Sequence, residues 1–161
     1  MMLACYAREL KEGFAEYSEE VVKLMVPMLK FYFHDGVRTA AAESLPYLLQ
    51  SGLIKGTSFV QDMWTYICPE LLKALDTEPE NDVLYELLGS LAGCIETLGA
   101  DCLNQESMAE MLKILNKLLE EHFERAQDRT KKHLDEDYDE VRFCVLKIRP
   151  FLLRVLRYKL R

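Results

Sequence analysis

Apolar residues return every three or four positions along most of this chain, and polar breaks cut the pattern into helical lengths. Leu3, Tyr6, Ala7, Leu10 and Phe14 mark one side of a helix over residues 3–15. Ser18 is placed to cap the next helix, with Glu19 and Glu20 against the positive end of its dipole. Val21, Val22, Met25, Met28, Leu29, Tyr32 and Phe33 carry that stripe to a His34-Asp35-Gly36 turn. Asp35 can cap a helix over 37–50, whose narrow face of Val37, Ala40, Ala41, Ser44, Leu45 and Leu48 is mostly small and permits close stacking. Gly52 and Gly56 end it, and Thr57 or Ser58 caps a helix reaching to about Leu75. Thr77 to Asn81 turns at Pro79, Asp82 opens a helix over 83–98 closed by Gly99, and Asn104 caps a helix through Phe123. From 125 to 140 the apolar periodicity gives way to charge. Pro27, Pro46, Pro69 and Pro150 fall inside helical patterns that continue across them, as bends that packed repeat helices absorb.

The pattern also repeats at long range. Val37-Arg38, seven residues, then Pro46-Tyr47-Leu48-Leu49 is echoed by Val141-Arg142, seven residues, then Pro150-Phe151-Leu152-Leu153. Asp35 and Asp139 stand two residues ahead of the two valines. A weaker copy runs from Val83 to Leu91 behind Asp82 and ends in Ser90-Leu91, as the first ends in Ser44-Leu45. The first and middle copies are 46 residues apart, inside the period of about 40 to 47 expected for paired-helix repeats of the HEAT and armadillo kind. The expected fold is all-α: a HEAT-repeat α-solenoid of about three helix pairs in a right-handed superhelical stack. Its units are 1–17 as the end of a preceding repeat, 18–56, 57–103, and 104–161 with a charged, acidic insertion at 125–140.

Charge sharpens this picture. The chain holds 20 basic and 27 acidic residues, net −7, yet residues 141–161 contain seven basic side chains and no acidic one. Taking those seven positive charges off the net leaves −14 on residues 1–140. Such a body repels nucleic acid and draws basic protein segments at long range, although excess acid also serves solubility alone. Five cysteines (Cys5, Cys68, Cys94, Cys102, Cys144) are odd in number and share no short spacing, so neither a disulfide framework nor a zinc site is suggested. That usage fits a reducing compartment. With no apolar signal segment after Met1-Met2 and no 18 uninterrupted apolar residues, a soluble intracellular protein is expected.

Particular residues then carry a family likeness. Pro27-Met28-Leu29 followed by Asp35-Gly36-Val37-Arg38-Thr39-Ala40-Ala41 resembles the HEAT consensus, a proline in the first helix and Asp-x-Val-Arg-x-x-Ala in the second. Cys5-Tyr6-Ala7, Glu12-Gly13-Phe14, Phe31-Tyr32-Phe33-His34, Met63-Trp64, Thr77-Glu78-Pro79, Cys94-Ile95-Glu96, Asp101-Cys102-Leu103-Asn104 and Leu119-Glu120-Glu121-His122-Phe123 look like the importin-beta superfamily of nuclear transport receptors, nearest the importin 5 and Ran-binding protein 6 branch. The likeness covers roughly 1–140; Val141 to Arg161 departs from the family, in which a longer acidic stretch would follow Glu140. The resemblance implies a central segment of an import receptor found in cytoplasm and nucleus. Its partners would be proteins with basic localisation segments. The small GTPase Ran is a partner of the full-length family, through amino-terminal repeats outside this match.

Asp135-Glu136-Asp137-Tyr138-Asp139-Glu140 is the leading candidate for binding: five carboxylates in six residues repel one another, stay hydrated and project toward lysine- or arginine-rich segments. The alternative is a solvated insertion, or a helix start in which Asp139 is only a cap. Arg38 and Arg142, each three residues after an aspartate (Asp35, Asp139), look like the HEAT ladder that links successive turns; Val83-Leu84 lacks the arginine, so the ladder breaks in the middle repeat. His34-Asp35 is the only adjacent His and Asp pair, and with His122 and His133 in or beside the insertion it reads as a turn, not a metal or acid/base site. Phosphate-loop, nucleophile-elbow and paired-cysteine motifs are missing, so neither a catalytic function nor a cofactor is expected. Trp64, Met25, Met63 and Met111 are expected in the core. Residues 141–160 could form a basic amphipathic membrane helix, but Pro150 and the repeat alignment favour an inner repeat helix. A HEAT scaffold subunit without a transport role shares the fold and is the alternative function.

Overall fold

A computed structural model describes residues 2–99 and 102–130, apart from the side chains at 3, 4, 7, 8, 10, 11 and 122–130. Six α-helices occur among the described residues: α1 (Met2–Phe14), α2 (Ser18–Met28), α3 (Asp35–Gly52), α4 (Thr57–Thr77), α5 (Asn81–Leu98) and α6 (Gln105–Thr130), with a 3-10 turn at Leu53–Lys55. The chain divides into two compact units, Met1–Ser107 and Met108–Arg161. In the first, α3 makes its broadest contact with α5 and packs also on α1 and α2, while α2 meets α4 and α4 meets α5. The helices therefore form pairs in two layers, α1, α3 and α5 in one and α2 and α4 in the other, the stacked helix-pair architecture of HEAT repeats. In the second unit, α6 buries Met111, Ile114, Leu115 and Leu118, which share one side of a 3.6-residue helix.

The apolar stripes account for the packing. Leu45, Leu48 and Leu49 of α3, Ile67, Leu71, Leu72 and Leu75 of α4, and Leu87 and Leu91 of α5 are all fully buried. Each such side chain contributes about 1.5–3 kcal/mol relative to exposure. Met63, Trp64 and Met111 lie in the core as expected, and Trp64 donates from Nε1 to the Cys102 carbonyl at 3.0 Å, tying the chain beyond α5 back to α4; Met25 is only half-buried. Pro27, Pro46 and Pro69 sit inside α2, α3 and α4. At position 93 a Cβ would stand 3.0 Å from the Pro46 Cγ, so glycine there lets α5 close onto the proline ring of α3.

Several ends differ from the sequence reading. Ser18 does not cap α2: it is buried, and its hydroxyl donates to the Ala15 carbonyl at 2.7 Å, securing the turn after α1. Helix α2 stops at Met28, short of Phe33, because Leu29, Lys30 and Phe31 donate to carbonyls three residues back and tighten the chain into turns. That tightening frees the Phe31 carbonyl to accept from Arg38 at 3.2 Å and leaves Phe33 93% exposed. Neither Thr57 nor Ser58 caps α4; Gly56, at φ +115°, occupies that position with no side-chain cap. Asp35 is the first residue of α3, and its carboxylate accepts from the neighbouring Gly36 N–H at 2.7 Å. Helix α6 passes Phe123 and runs to Thr130, since Glu, Arg, Ala and Gln favour helix without an apolar stripe. Asn104 does cap α6, accepting from Ser107 N–H at 2.7 Å, and Gly99 closes α5 at φ +86°.

Two ion pairs cross between successive helix pairs, each joining residues 40 apart in sequence. Lys30, just beyond α2, donates to Glu70 of α4 at 2.7 Å, and Lys73 holds the other carboxylate oxygen at 2.8 Å. Arg38 of α3 grips Glu78, in the loop after α4, through Nε and a terminal nitrogen at 2.9 and 3.0 Å. Arg38 is 3% exposed and Glu78 1%, so this bidentate pair lies out of water, with the Tyr32 ring 5.7 Å from the guanidinium carbon.

Removing one partner of a desolvated pair strands the other. Glu78→Ala is expected to cost about 3–5 kcal/mol in urea unfolding, whereas Arg38→Met combined with Glu78→Leu loses far less because no lone charge remains. The lysines hold the Glu70 carboxyl below the ordinary value of 4.5, Lys30 first and Lys73 second. A carboxyl lowered in the folded state adds stability above 4.5 and loses it as pH falls through the lowered value. Between about pH 5 and about pH 3, unfolding titrations should show the native chain losing stability more steeply than Glu70→Gln, the two converging at the acid end.

Candidate functional site

Helices α2 and α4 differ from α3 and α5 in how their charges are paired. On the α2 and α4 side, carboxylates have lysines beside them: Glu19 accepts from Lys23 at 2.7 Å, and Glu70 lies between Lys30 and Lys73. The Glu19 carboxyl is accordingly held below its usual range by the Lys23 hydrogen bond, and Lys23 is raised in turn. A depression between these helices, about 130 Å³, is lined by Val22, Phe59 and Met63 with Glu19, Lys23, Asp62 and Tyr66 at its rim. Lys55 rests over the Phe59 ring at 4.9 Å.

The α3 and α5 side is built differently. These two helices contain Asp35, Glu43, Asp82, Glu86 and Glu96 and a single cation, Arg38. That cation is buried and already neutralised by Glu78. On α3 the side opposite the buried stripe presents Thr39, Glu43, Tyr47 and Gln50; on α5 it presents Asp82, Tyr85, Gly89 and Glu96, with Glu86 at its edge. Helical repetition at i, i+4 and i+11 brings Thr39, Glu43 and Gln50 into line, and Gly93 allows the neighbouring helix to approach closely enough for one continuous surface. Gly89 has open space where a Cβ would project, leaving a low point between Tyr85 and Glu96. The surface combines carboxylates that meet no exposed lysine or arginine of α3 or α5 with two half-buried tyrosines, an arrangement suited to lysine and arginine side chains.

This surface was not singled out in the sequence, although its signal is there: α5 has three acidic residues and no Lys or Arg. Asp135, Glu136, Asp137, Asp139 and Glu140, the expected acidic loop, lie outside the described residues, as does Arg142. Arg38 makes its link to the next helix pair through Glu78, a partner the sequence reading did not identify; Asp35 is exposed, 3.4 Å from His34 Nδ1. His34 and Asp35 form a surface turn, and among the described residues no three His, Cys, Asp or Glu converge as metal ligands. Of the cysteines described, Cys68 and Cys94 are buried and Cys5 exposed, all unbridged; burial pushes the Cys94 thiol far up and keeps it protonated. No helix among the described residues is long and apolar enough to cross a membrane.

Known proteins share this architecture and sequence. A family model described as importin repeat 6 matches residues 83–143. Importin subunit beta-3 of Saccharomyces cerevisiae is 32% identical over 149 residues, 86% of this chain but 14% of its own length. The crystal structure of the karyopherin Kap121p bound to the extreme C-terminus of the protein phosphatase Cdc14p superposes with a TM-score of 0.85 at 31% identity, over 97% of this chain and 15% of Kap121p. Kap121p bound to RanGTP gives a TM-score of 0.78 at 30% identity, over 95% of this chain and 14% of that one. The chain thus spans about one seventh of the length of these relatives. With the stacked helix pairs, the family-specific repeat and identity sustained over nearly its whole length, this chain belongs to the importin-beta, or karyopherin, family of HEAT-repeat proteins.

Proposed function

We propose that this segment binds lysine- and arginine-rich stretches of partner proteins on the exposed side of α3 and α5, as part of a nuclear import receptor of the importin 5 and Ran-binding protein 6 branch. The observation that carries the reading is the charge of that side: Glu43, Asp82, Glu86 and Glu96 lie on or beside it, and the one cation of the two helices is buried in an ion pair. Its field draws a basic segment in, and Tyr47 and Tyr85 offer ring faces to the cations once docked. Asp135, Glu136, Asp137, Asp139 and Glu140 supply a further acidic stretch for the same class of partner. The role is one of binding, without a catalytic step.

The relatives support this reading. Kap121p has been seen bound to the end of a phosphatase chain and to RanGTP, so a receptor of this architecture holds both a protein segment and the GTPase. The units 18–56, 57–103 and 104–161 would then be successive HEAT repeats of a longer receptor that moves between cytoplasm and nucleus. Contact with Ran belongs to that whole receptor rather than to these repeats.

Binding of a fluorescent lysine-rich localisation peptide tests the proposal. Replacing Glu43, Asp82 and Glu86 together by their amides should weaken affinity about five- to tenfold near 0.1 M salt, where screening reaches about 10 Å. The difference should nearly vanish at about 1 M salt, where screening shortens to about 3 Å. Replacing the five acids of 135–140 by Ser should weaken binding further. Equal affinity of the amide variant and the native chain at low salt would remove α3 and α5 from the contact.

A further inference from the structure

We propose that Thr77 is a phosphate-acceptor site for an acidic-directed serine/threonine protein kinase, and that its phosphorylation opens the Arg38–Glu78 link between successive helix pairs. Thr77 is the last residue of α4 and is exposed. Its hydroxyl donates to the Lys73 carbonyl at 2.9 Å and lies 3.1 Å from the Tyr32 hydroxyl of the preceding helix pair. It therefore stands on the seam itself, next in sequence to the buried Glu78.

The surroundings fit an acceptor in two ways. First, the backbone leaves the helix at once: Glu78 and Glu80 have extended dihedrals (φ −72°, ψ 120° and φ −92°, ψ 123°), with Pro79 between them, so the chain after Thr77 has the open form that a kinase cleft accepts. Second, exposed carboxylates follow at Glu80 and Asp82, three and five residues on, where a basic substrate groove can read them. Ser107 also has an acid three residues later, Glu110, but it lies inside α6 with its N–H held by Asn104, so its following residues are wound in helix. In the transfer, Thr77 Oγ bonds to the γ-phosphorus of ATP as the bond from that phosphorus to the bridging oxygen breaks. The electron pair leaves with ADP, and the hydroxyl proton passes to the kinase's general base.

The consequence follows from where the new charge would sit. A phosphothreonine adds about −1.5 to −2 at pH 7. It would do so at the negative end of α4, whose last turn has no basic residue, and beside the Glu78 carboxylate. All three Arg38 nitrogens are already engaged: Nε and one terminal nitrogen hold Glu78, the other terminal nitrogen holds the Phe31 carbonyl, and the side chain is almost wholly buried. Two anions would thus compete for one guanidinium, and the bulk of the phosphate would displace the Tyr32 hydroxyl from Thr77.

The full chain, incubated with an acidic-directed kinase and magnesium ATP, is mapped by tandem mass spectrometry and melted before and after. Thr77 should be the main acceptor, incorporation should fall about tenfold in Glu80→Gln, and Thr77→Val should lose the signal while melting close to the native chain. The phosphorylated protein should melt about 3 °C lower or more, with Thr77→Glu reproducing part of the drop. In a Glu78→Ala background the phosphate should lower the melting temperature much less, because the link is already broken. Incorporation mainly at Ser107 or elsewhere, an unchanged melting temperature after stoichiometric modification of Thr77, or an equal drop in the Glu78→Ala background would each overturn the proposal.

Discussion

Burial of α3 on three sides is the constraint on which the first unit depends. A paired-helix repeat cannot cover its apolar side alone, and here α3 is covered by α2 within its own pair and by α1 and α5 alongside. Leu45, Leu48 and Leu49 disappear from solvent by this means, together with the small residues Ala41 and Ala42 that let the partners come close. One close approach is at Gly93, where any side chain would meet the Pro46 ring. That packing sets how closely the pairs approach, and directional contacts add to the definition of their stagger. Arg38–Glu78 and Lys30–Glu70 are such contacts, both at a separation of 40 residues.

Ion pairing differs between α2 with α4 and α3 with α5. On α2 and α4, Glu19 and Glu70 are held by lysines of the same surface. The acids of α3 and α5 have no exposed lysine or arginine on their own helices, and the single arginine there is turned inward to hold the stack. One residue thus links architecture and surface chemistry: by taking Glu78 as its partner, Arg38 is withdrawn from the exposed side and leaves that side acidic. A structural ion pair and a binding field arise from the same placement.

How much of this was legible in the sequence depended on the kind of signal. Apolar periodicity located the helices, because burial imposes a 3.6-residue period whatever the partner, and Asn104 and Gly99 were readable since capping and positive φ admit few residue types. Ser18, Thr57 and Ser58 misled: a hydroxyl before a helix can bond backward, as Ser18 does, or remain uninvolved while a glycine makes the turn. The stripe through Tyr32 and Phe33 suggested continuing helix, yet Arg38 draws on the Phe31 carbonyl and the chain turns away. Glu78 was invisible as a partner because the sequence places it in a loop beside other acids, and only the stacking of pairs brings it to Arg38. The acidic side of α3 and α5 required knowing that Arg38 faces inward.

The most direct test of the account is where a basic segment touches the folded chain. Isotope-labelled protein titrated with a lysine-rich peptide at low salt should show its largest amide shifts on the exposed side of α3 and α5, at Thr39, Glu43, Tyr47, Tyr85, Glu86 and Gly89, and little change along α2 and α4. Shifts concentrated instead around Val22, Phe59, Met63 and Tyr66, or no saturable shifts in either layer, would contradict it.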